Sequence, residues 1–118
     1  METTNFSAPV DLWIEAQEFL AEVTDTPAER TKKSLPAVPG LQIFLLYVRG
    51  NRRVPDHRVK GPITVQALIG DARMASEGSS FDLPEGNIIT FAADVVHDVS
   101  AIRDSVLLVT HALPRERE

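Results

Sequence analysis

The sequence predicts an all-β protein, a barrel or jelly roll, with one α-helix added at its N-terminus. Three observations predict it. Short runs of β-forming residues follow one another closely from Leu41 to Ala112, the connections between them (G-N, K-G-P, E-G-S-S, P-E-G-N and R-D) are turn chemistry, and a single segment, Pro9 to Val23, has apolar residues at helical spacing. Many short strands in a small chain must close on themselves or pair between subunits to hide their edges. At 118 residues the chain has material for one core, so all of it is expected to surround one interior.

The helix places Leu12, Trp13, Ala16, Phe19, Leu20 and Val23 on one stripe, with Asp11, Glu15, Glu18 and Glu22 on other faces. Pro9 suits the first helical position, Asp11 puts negative charge at the positive end of the helix dipole, and Pro27 stops the helix after an exit through Thr24 to Thr26. The apolar stripe is expected to be a lid on the domain's own core. Thr31 to Gly40, with two prolines and a glycine, reads as an extended connection, which divides the chain into a helix with its connecting segment, 1–40, and a barrel, 41–118.

Leu41 to Val48 (L-Q-I-F-L-L-Y-V) is nearly continuously apolar, which fits a strand covered on both faces or one shared with a second subunit. A homodimer in which this strand or the helix packs on the partner is therefore expected. Further runs are Val54 to Val59, Ile63 to Ile69, Ala72 to Ala75, Ser80 to Leu83, Ile88 to Phe91, Val95 to Ser100 and Ser105 to Ala112. The tail from Pro114 to Glu118 is expected to fray.

Composition narrows the function. The net charge of −5 argues against nucleic acid as a partner, no apolar run is long enough for a membrane helix, and Met1 to Pro9 has neither the basic residue nor the apolar core of a secretory signal. The absence of cysteine removes disulfides, thiolate nucleophiles and sulfur ligands, and a cytoplasmic location is the expectation. Charge is unevenly spread: Met1 to Glu29 has seven acids and no base, whereas Arg30 to Lys60 has eight bases and one acid, Asp56. Either the basic segment forms a patch for an anionic ligand, or the acidic segment packs near it.

The stretch from Val54 to Val99 contains His57 and His97 on either side of a turn-rich middle, and it carries a resemblance. It resembles the small single-domain cupins, whose first motif is Gly, five residues, His-x-His, three or four residues, Glu, six residues, Gly. Their second motif is Gly, five residues, Pro-x-Gly, two residues, His, three residues, Asn. Laid on this chain, the first motif puts its histidines on His57 and Val59, its Glu on Ile63 and its closing Gly on Gly70, with its opening Gly on Asn51, next to Gly50. The second puts Gly on Gly86, Pro on Ala92, Gly on Asp94, His on His97 and Asn on Ala101. The likeness spans roughly Leu41 to Thr110 and implies a cupin jelly-roll β-barrel, also described as a double-stranded β-helix.

The family commonly binds Fe, Mn, Ni or Zn through three His and one Glu, and two of those four positions are apolar here. The resemblance therefore implies a divalent metal at His57 and His97 only if a third ligand exists. Asp56 and Asp98 neighbour the histidines and should face the other way on their strands; His111 on the last strand, or Gln66, could join if its register turns it inward. Two functions are expected from this. In one, the barrel binds a small polar molecule, with His57 and His97 as anchors in a cavity that includes Val59, Ile63, Val65, Gln66 and Phe91. In the other, it is a metal-dependent oxygenase, isomerase or lyase using both histidines. Metal-free acid–base work by a cavity histidine, and two plain interior histidines, are the remaining readings.

Overall fold

The structure is a computed structural model describing residues 5–25 and 30–114. Pro27, expected to stop the helix, and the tail beyond Pro114, expected to fray, lie outside the described residues.

Helix α1 (Leu12–Val23) starts later than the position of Pro9 suggested. Asp11 is extended (φ −81°, ψ 103°) and its carboxylate accepts the Ile14 amide at 3.1 Å, so it is the cap and Pro9 precedes it. A carboxylate that satisfies an otherwise orphaned amide outweighs the preference of proline for the first turn. Ala16, Phe19 and Val23 are buried, but Trp13 is 55% exposed. At about 100° per residue, Trp13 sits roughly 90° from the centre of the stripe formed by the buried three, which explains its omission.

The strands are β1 (Arg30–Leu35), β2 (Leu41–Val48), β3 (Arg52–His57), β4 (Ile63–Ser76), β5 (Ser79–Pro84), β6 (Ile88–Phe91) and β7 (His97–Ala112). Two features depart from the sequence reading. The first half of the expected connection is strand β1, antiparallel to β2 with Lys32 opposite Leu46 and Lys33 opposite Leu45. Its sequence, R-T-K-K-S-L, has no apolar alternation because it is an edge strand; the hydrogen-bonding edge of β2 recruits it through the backbone. The runs 63–69 and 72–75 also join into β4, and the last two runs join into β7. Gly70 and Arg103-Asp104, which read as breaks, are bends inside long strands.

These two bends build the molecule. β4 pairs with β7 along most of its length, while the other side of β7 is taken first by β3 and then by β2. The other side of β4 is taken first by β6 and then by β5. The result is two layers, β1-β2-β7-β4-β6 and β3-β7-β4-β5, which share the central pair and fold over each other where that pair bends.

At the bend the β4–β7 register shifts three times between Ala67 and Ala72. Gly70 has φ +100°, and a Cβ there would lie 2.4 Å from Ser105 Oγ and 2.5 Å from the Asp104 carbonyl oxygen. Side chains take over where the ladder opens: the Gly70 amide donates to Glu85 Oε2 at 2.8 Å and the Asp71 amide to Ser105 Oγ at 3.0 Å. The Ser105 hydroxyl donates onward to the Arg103 carbonyl at 2.7 Å. The shifts also exchange inner and outer positions, so Ile63 and Val65 before the bend and Ala72 and Met74 after it all join one core with Val54, Val99, Leu107 and Val109.

A second cluster lies on the opposite face of the first layer, where Ala16, Phe19 and Val23 of α1 cover Leu45, Tyr47 and Val106. β2 is therefore covered on both faces, with Phe44, Leu46 and Val48 inward and Leu45 and Tyr47 under the helix. α1 is a lid on the protein's own core. Glu15 of α1 pairs with Lys33 Nζ at 3.0 Å, so at this point the acidic segment does pack against the basic one.

Gly70→Ala should destabilise the protein by roughly 2–5 kcal/mol, combining positive-φ strain with overpacking against backbone. Gly78, at φ +80° with open space where an added Cβ would stand, should cost only the strain when changed to Ala. Urea unfolding of both variants checks this; equal losses would mean that the bend does not depend on close approach at Gly70.

Candidate functional site

His57 and His97 are direct partners across the β3–β7 ladder, placed there by a register shift between Val54 and His57. Their rings lie 4.5 Å apart, edge to face at 64°. Phe91 stacks on the other side of His97, with centroids 4.7 Å apart and planes 15° from parallel. His97 is 3% exposed, whereas His57 is exposed. One imidazole is therefore packed into the core and the other borders solvent.

The packed ring has a defined chemistry. His97 Nδ1 lies 3.0 Å from the Val95 carbonyl oxygen, which can only accept, so Nδ1 carries the proton and Nε2 of the neutral ring is left as an acceptor. Among the described residues Nε2 has no hydrogen-bond partner. Burial pushes the pKa of His97 below its ordinary value; the Val95 bond opposes this, the nearby His57 adds to it, and Asp98 opposes it. Asp98 itself turns to the outer face, where Arg53 donates to its Oδ2 through Nε at 3.1 Å and Nη2 at 2.8 Å.

Both histidines line a cavity of about 400 Å³ between the layers. Val59, Ile63 and Val65 line it with them. Phe91, expected in the lining, does not reach the cavity: it stacks on His97 and borders a separate depression between β5 and β6. Gln66 does not line the cavity, because it alternates with Val65 on β4 and so faces the other side of the layer. His111 does line it, but both its nitrogens are engaged: Nε2 is 2.5 Å from the Lys60 carbonyl oxygen and Nδ1 is 3.4 Å from Gln42 Oε1. Since the carbonyl takes the Nε2 proton, Nδ1 of a neutral His111 is an acceptor and the Gln42 amide group must present its NH₂ there.

Lys32, Gln42, Phe44, Leu46 and Met74 also line the cavity and were missed in the sequence. Gln42 had a signal, since it stands two and four residues before Phe44 and Leu46 on the same face of β2. Lys32 had none, because its segment did not read as a strand. A larger and more open depression of about 660 Å³ between β5 and β6, lined by Phe81, Asp82, Ile88 and Thr90 among others, includes neither histidine.

The donor set does not fit the metal that the fold class commonly holds. Val59 and Ile63 stand where a second His and a Glu would be, and both line the cavity as hydrocarbon. His111 is tied at both nitrogens, and the described residues contain no group of three His, Cys, Asp or Glu able to hold an ion. Two edge-to-face imidazoles without an anionic ligand are a poor substitute for a facial triad or a catalytic zinc site.

Comparison with solved structures shows which architecture this is. A cupin superfamily protein from Desulfitobacterium hafniense superposes with a TM-score of 0.74 over 97% of this chain and 100% of its own, at 14% identity. A conserved Streptococcus pyogenes protein of unknown function superposes at 0.72 over 98% of this chain and 95% of its own, at 18% identity. A salicylate 1,2-dioxygenase from Pseudaminobacter salicylatoxidans reaches 0.75 over 94% of this chain but 37% of its own length, at 14% identity. No family model matches the sequence and no curated protein does. The fold is that of the cupins: a jelly-roll β-barrel with an added N-terminal helix. Within that fold the described residues form one small domain of the cupin type. Among the described residues, no helix is long and apolar enough to cross a membrane.

The lowered pKa of His97 has a fixed sign. The unfolded chain, titrating near the ordinary imidazole value of 6.5, takes up the proton before the native state does. The neutral buried ring therefore contributes stability that is fully present above pH 6.5 and is lost as the pH falls through the lowered native value. Urea midpoints measured from pH 7.5 downwards should fall more steeply for the wild type than for His97→Asn; parallel slopes would show that this ring is not the group responsible.

Proposed function

We propose that the protein binds a small polar molecule inside its barrel, with His57 and His97 as the polar anchors. The observation that carries this reading is the cross-strand imidazole pair, 4.5 Å apart, at a cavity of about 400 Å³ whose other walls are largely hydrocarbon. Such a volume and such a sparse set of polar groups are ordinary for small-molecule sites. His97 supplies a fixed acceptor at Nε2 for a ligand hydroxyl or amine, and the exposed His57 can rotate, donate or accept at the entrance. Val59, Ile63 and Val65 exclude water around the bound molecule.

The rival reading is a metal-dependent cupin enzyme, and it is tested together with the first. Purified protein should carry no stoichiometric metal, and its melting temperature should not respond to Fe²⁺, Mn²⁺, Ni²⁺, Zn²⁺ or EDTA in a way that His57→Ala and His97→Ala abolish. A metal-induced rise lost in both variants would overturn the proposal in favour of the enzyme. Crystals of protein purified from cells should show density in the cavity within hydrogen-bond distance of His97 Nε2.

The proposal includes a homodimer, supported by the apolar side chains that the first turn of α1 leaves outside, Trp13 at 55% and Ile14 at 49% exposure. Light scattering should give twice the chain mass of 13.0 kDa, and Trp13→Glu should shift it to the monomer. A wild-type protein of single-chain mass would overturn this part.

A further inference from the structure

The cavity rim carries a cation that has no counter-ion among the described residues. Lys32 and Lys33 are consecutive on β1, so their side chains leave opposite faces of the layer. Lys33 goes to the helix side and meets Glu15. Lys32 goes to the cavity side, where its Nζ lies 4.6 Å from the centroid of Phe44 and its side chain lines the cavity. No carboxylate pairs with Lys32 among the described residues, and no Asp or Glu whose side chain is described lines the cavity.

The strand order sets where this cation lies relative to the histidines. β4 occupies one side of β7 through both layers, so β2 and β3 both flank its other side. β1 extends the first layer beyond β2 on that side, so Lys32 and the exposed His57 come from edge strands on one flank of the β4–β7 pair, and both line the cavity. Phe44, Leu46, Leu107 and Val109 form the adjoining wall. In a protein of net charge −5, this local excess of donors is a property of the site and not of the overall field.

Resting on the reading that the cavity binds a small molecule, we infer that its ligand is a small monocarboxylate: a carboxylate at Lys32 on the cavity rim, and a hydrocarbon body, one ring or a short chain, against Phe44, Leu46 and Val109. The lowest-cost partner for an ammonium beside hydrocarbon is an anion with an apolar body. A phosphate dianion fits less well, because the described lining residues offer one ammonium, and α1 lies on the opposite face of the first layer. The neutral His97 presents an acceptor, which repels a carboxylate and so keeps the anionic end at the rim.

Isothermal titration of the full chain with benzoate and hexanoate, their neutral amides, and inorganic phosphate tests this. The acids should bind about tenfold or more tightly than the amides, weaken as KCl is raised, and fall to the level of the amides in Lys32→Met, with Lys32→Arg restoring binding. Lys33→Met, on the other face, should leave binding unchanged. Amides binding as tightly as acids, or an unaltered Lys32→Met, would overturn the carboxylate and leave the cavity reading intact. Phosphate binding more tightly than either acid would also overturn it. Folded protein that binds none of the five would overturn the monocarboxylate and leave the cavity reading to the density expected at His97 Nε2.

Discussion

The molecule depends on two strands bending together. β4 and β7 remain paired while they turn from one layer into the other, and every other strand is added to a half of one of them or, for β1, to the edge of β2. A bend in a single strand would break the ladder on both sides; bends at matching points in paired strands break it once, and locally. What makes the matched bend tolerable is small: a glycine against Ser105, a serine hydroxyl that accepts from Asp71 and donates to Arg103, and Glu85 on the Gly70 amide. An unpaired buried amide costs about 1–3 kcal/mol, so these side-chain replacements decide whether the chain folds over or stays flat.

The site follows from that bend. Because β3 pairs with the first half of β7, residues forty apart in the chain, His57 and His97, face each other directly, and β1 adds Lys32 to the lining of the same cavity. The two rings then differ through their surroundings alone. His97 is held between Phe91 and His57 and tied to Val95, so it is neutral with one free acceptor; His57 stays at the entrance. Alternation along β1 similarly divides two adjacent lysines between structure and site, Lys33 to the helix and Lys32 to the cavity.

Much of the fold was legible because it rests on local signals. The apolar run 41–48 marked β2 as covered on both faces, I-I-T-F marked β6 with its observed bounds, and the spacing of His57, Gly70, Gly86 and His97 matched a known barrel. What was not legible depends on partners. R-T-K-K-S-L becomes a strand only because β2 has an open edge, so the signal lies in β2 and not in β1. Gly70 and Arg103-Asp104 read as chain breaks because a turn and a strand bend use the same residues, and only the neighbouring strand tells them apart. Gln66 and Lys32 illustrate the consequence for the site: register placed the first outside the cavity and the second inside it. Asp94, which stands where the motif has glycine, still adopts φ 63° and donates its amide to Val59 at 2.8 Å, a backbone role that aspartate tolerates.

The substitutions at Val59 and Ile63 change more than the number of ligands. A barrel that holds a divalent ion balances it with a carboxylate and fixes its histidines through the metal. Here no carboxylate whose side chain is described lines the cavity, and the inner histidine is fixed by a backbone carbonyl and two aromatic contacts. An anionic group left in hydrocarbon without a metal costs several kcal/mol, and a hydrocarbon lining at Val59 and Ile63 avoids that cost. The charge that remains, on Lys32, sits at the edge, where water and the Phe44 ring solvate it. The cavity thus has a neutral histidine at its floor and the Lys32 ammonium at its rim.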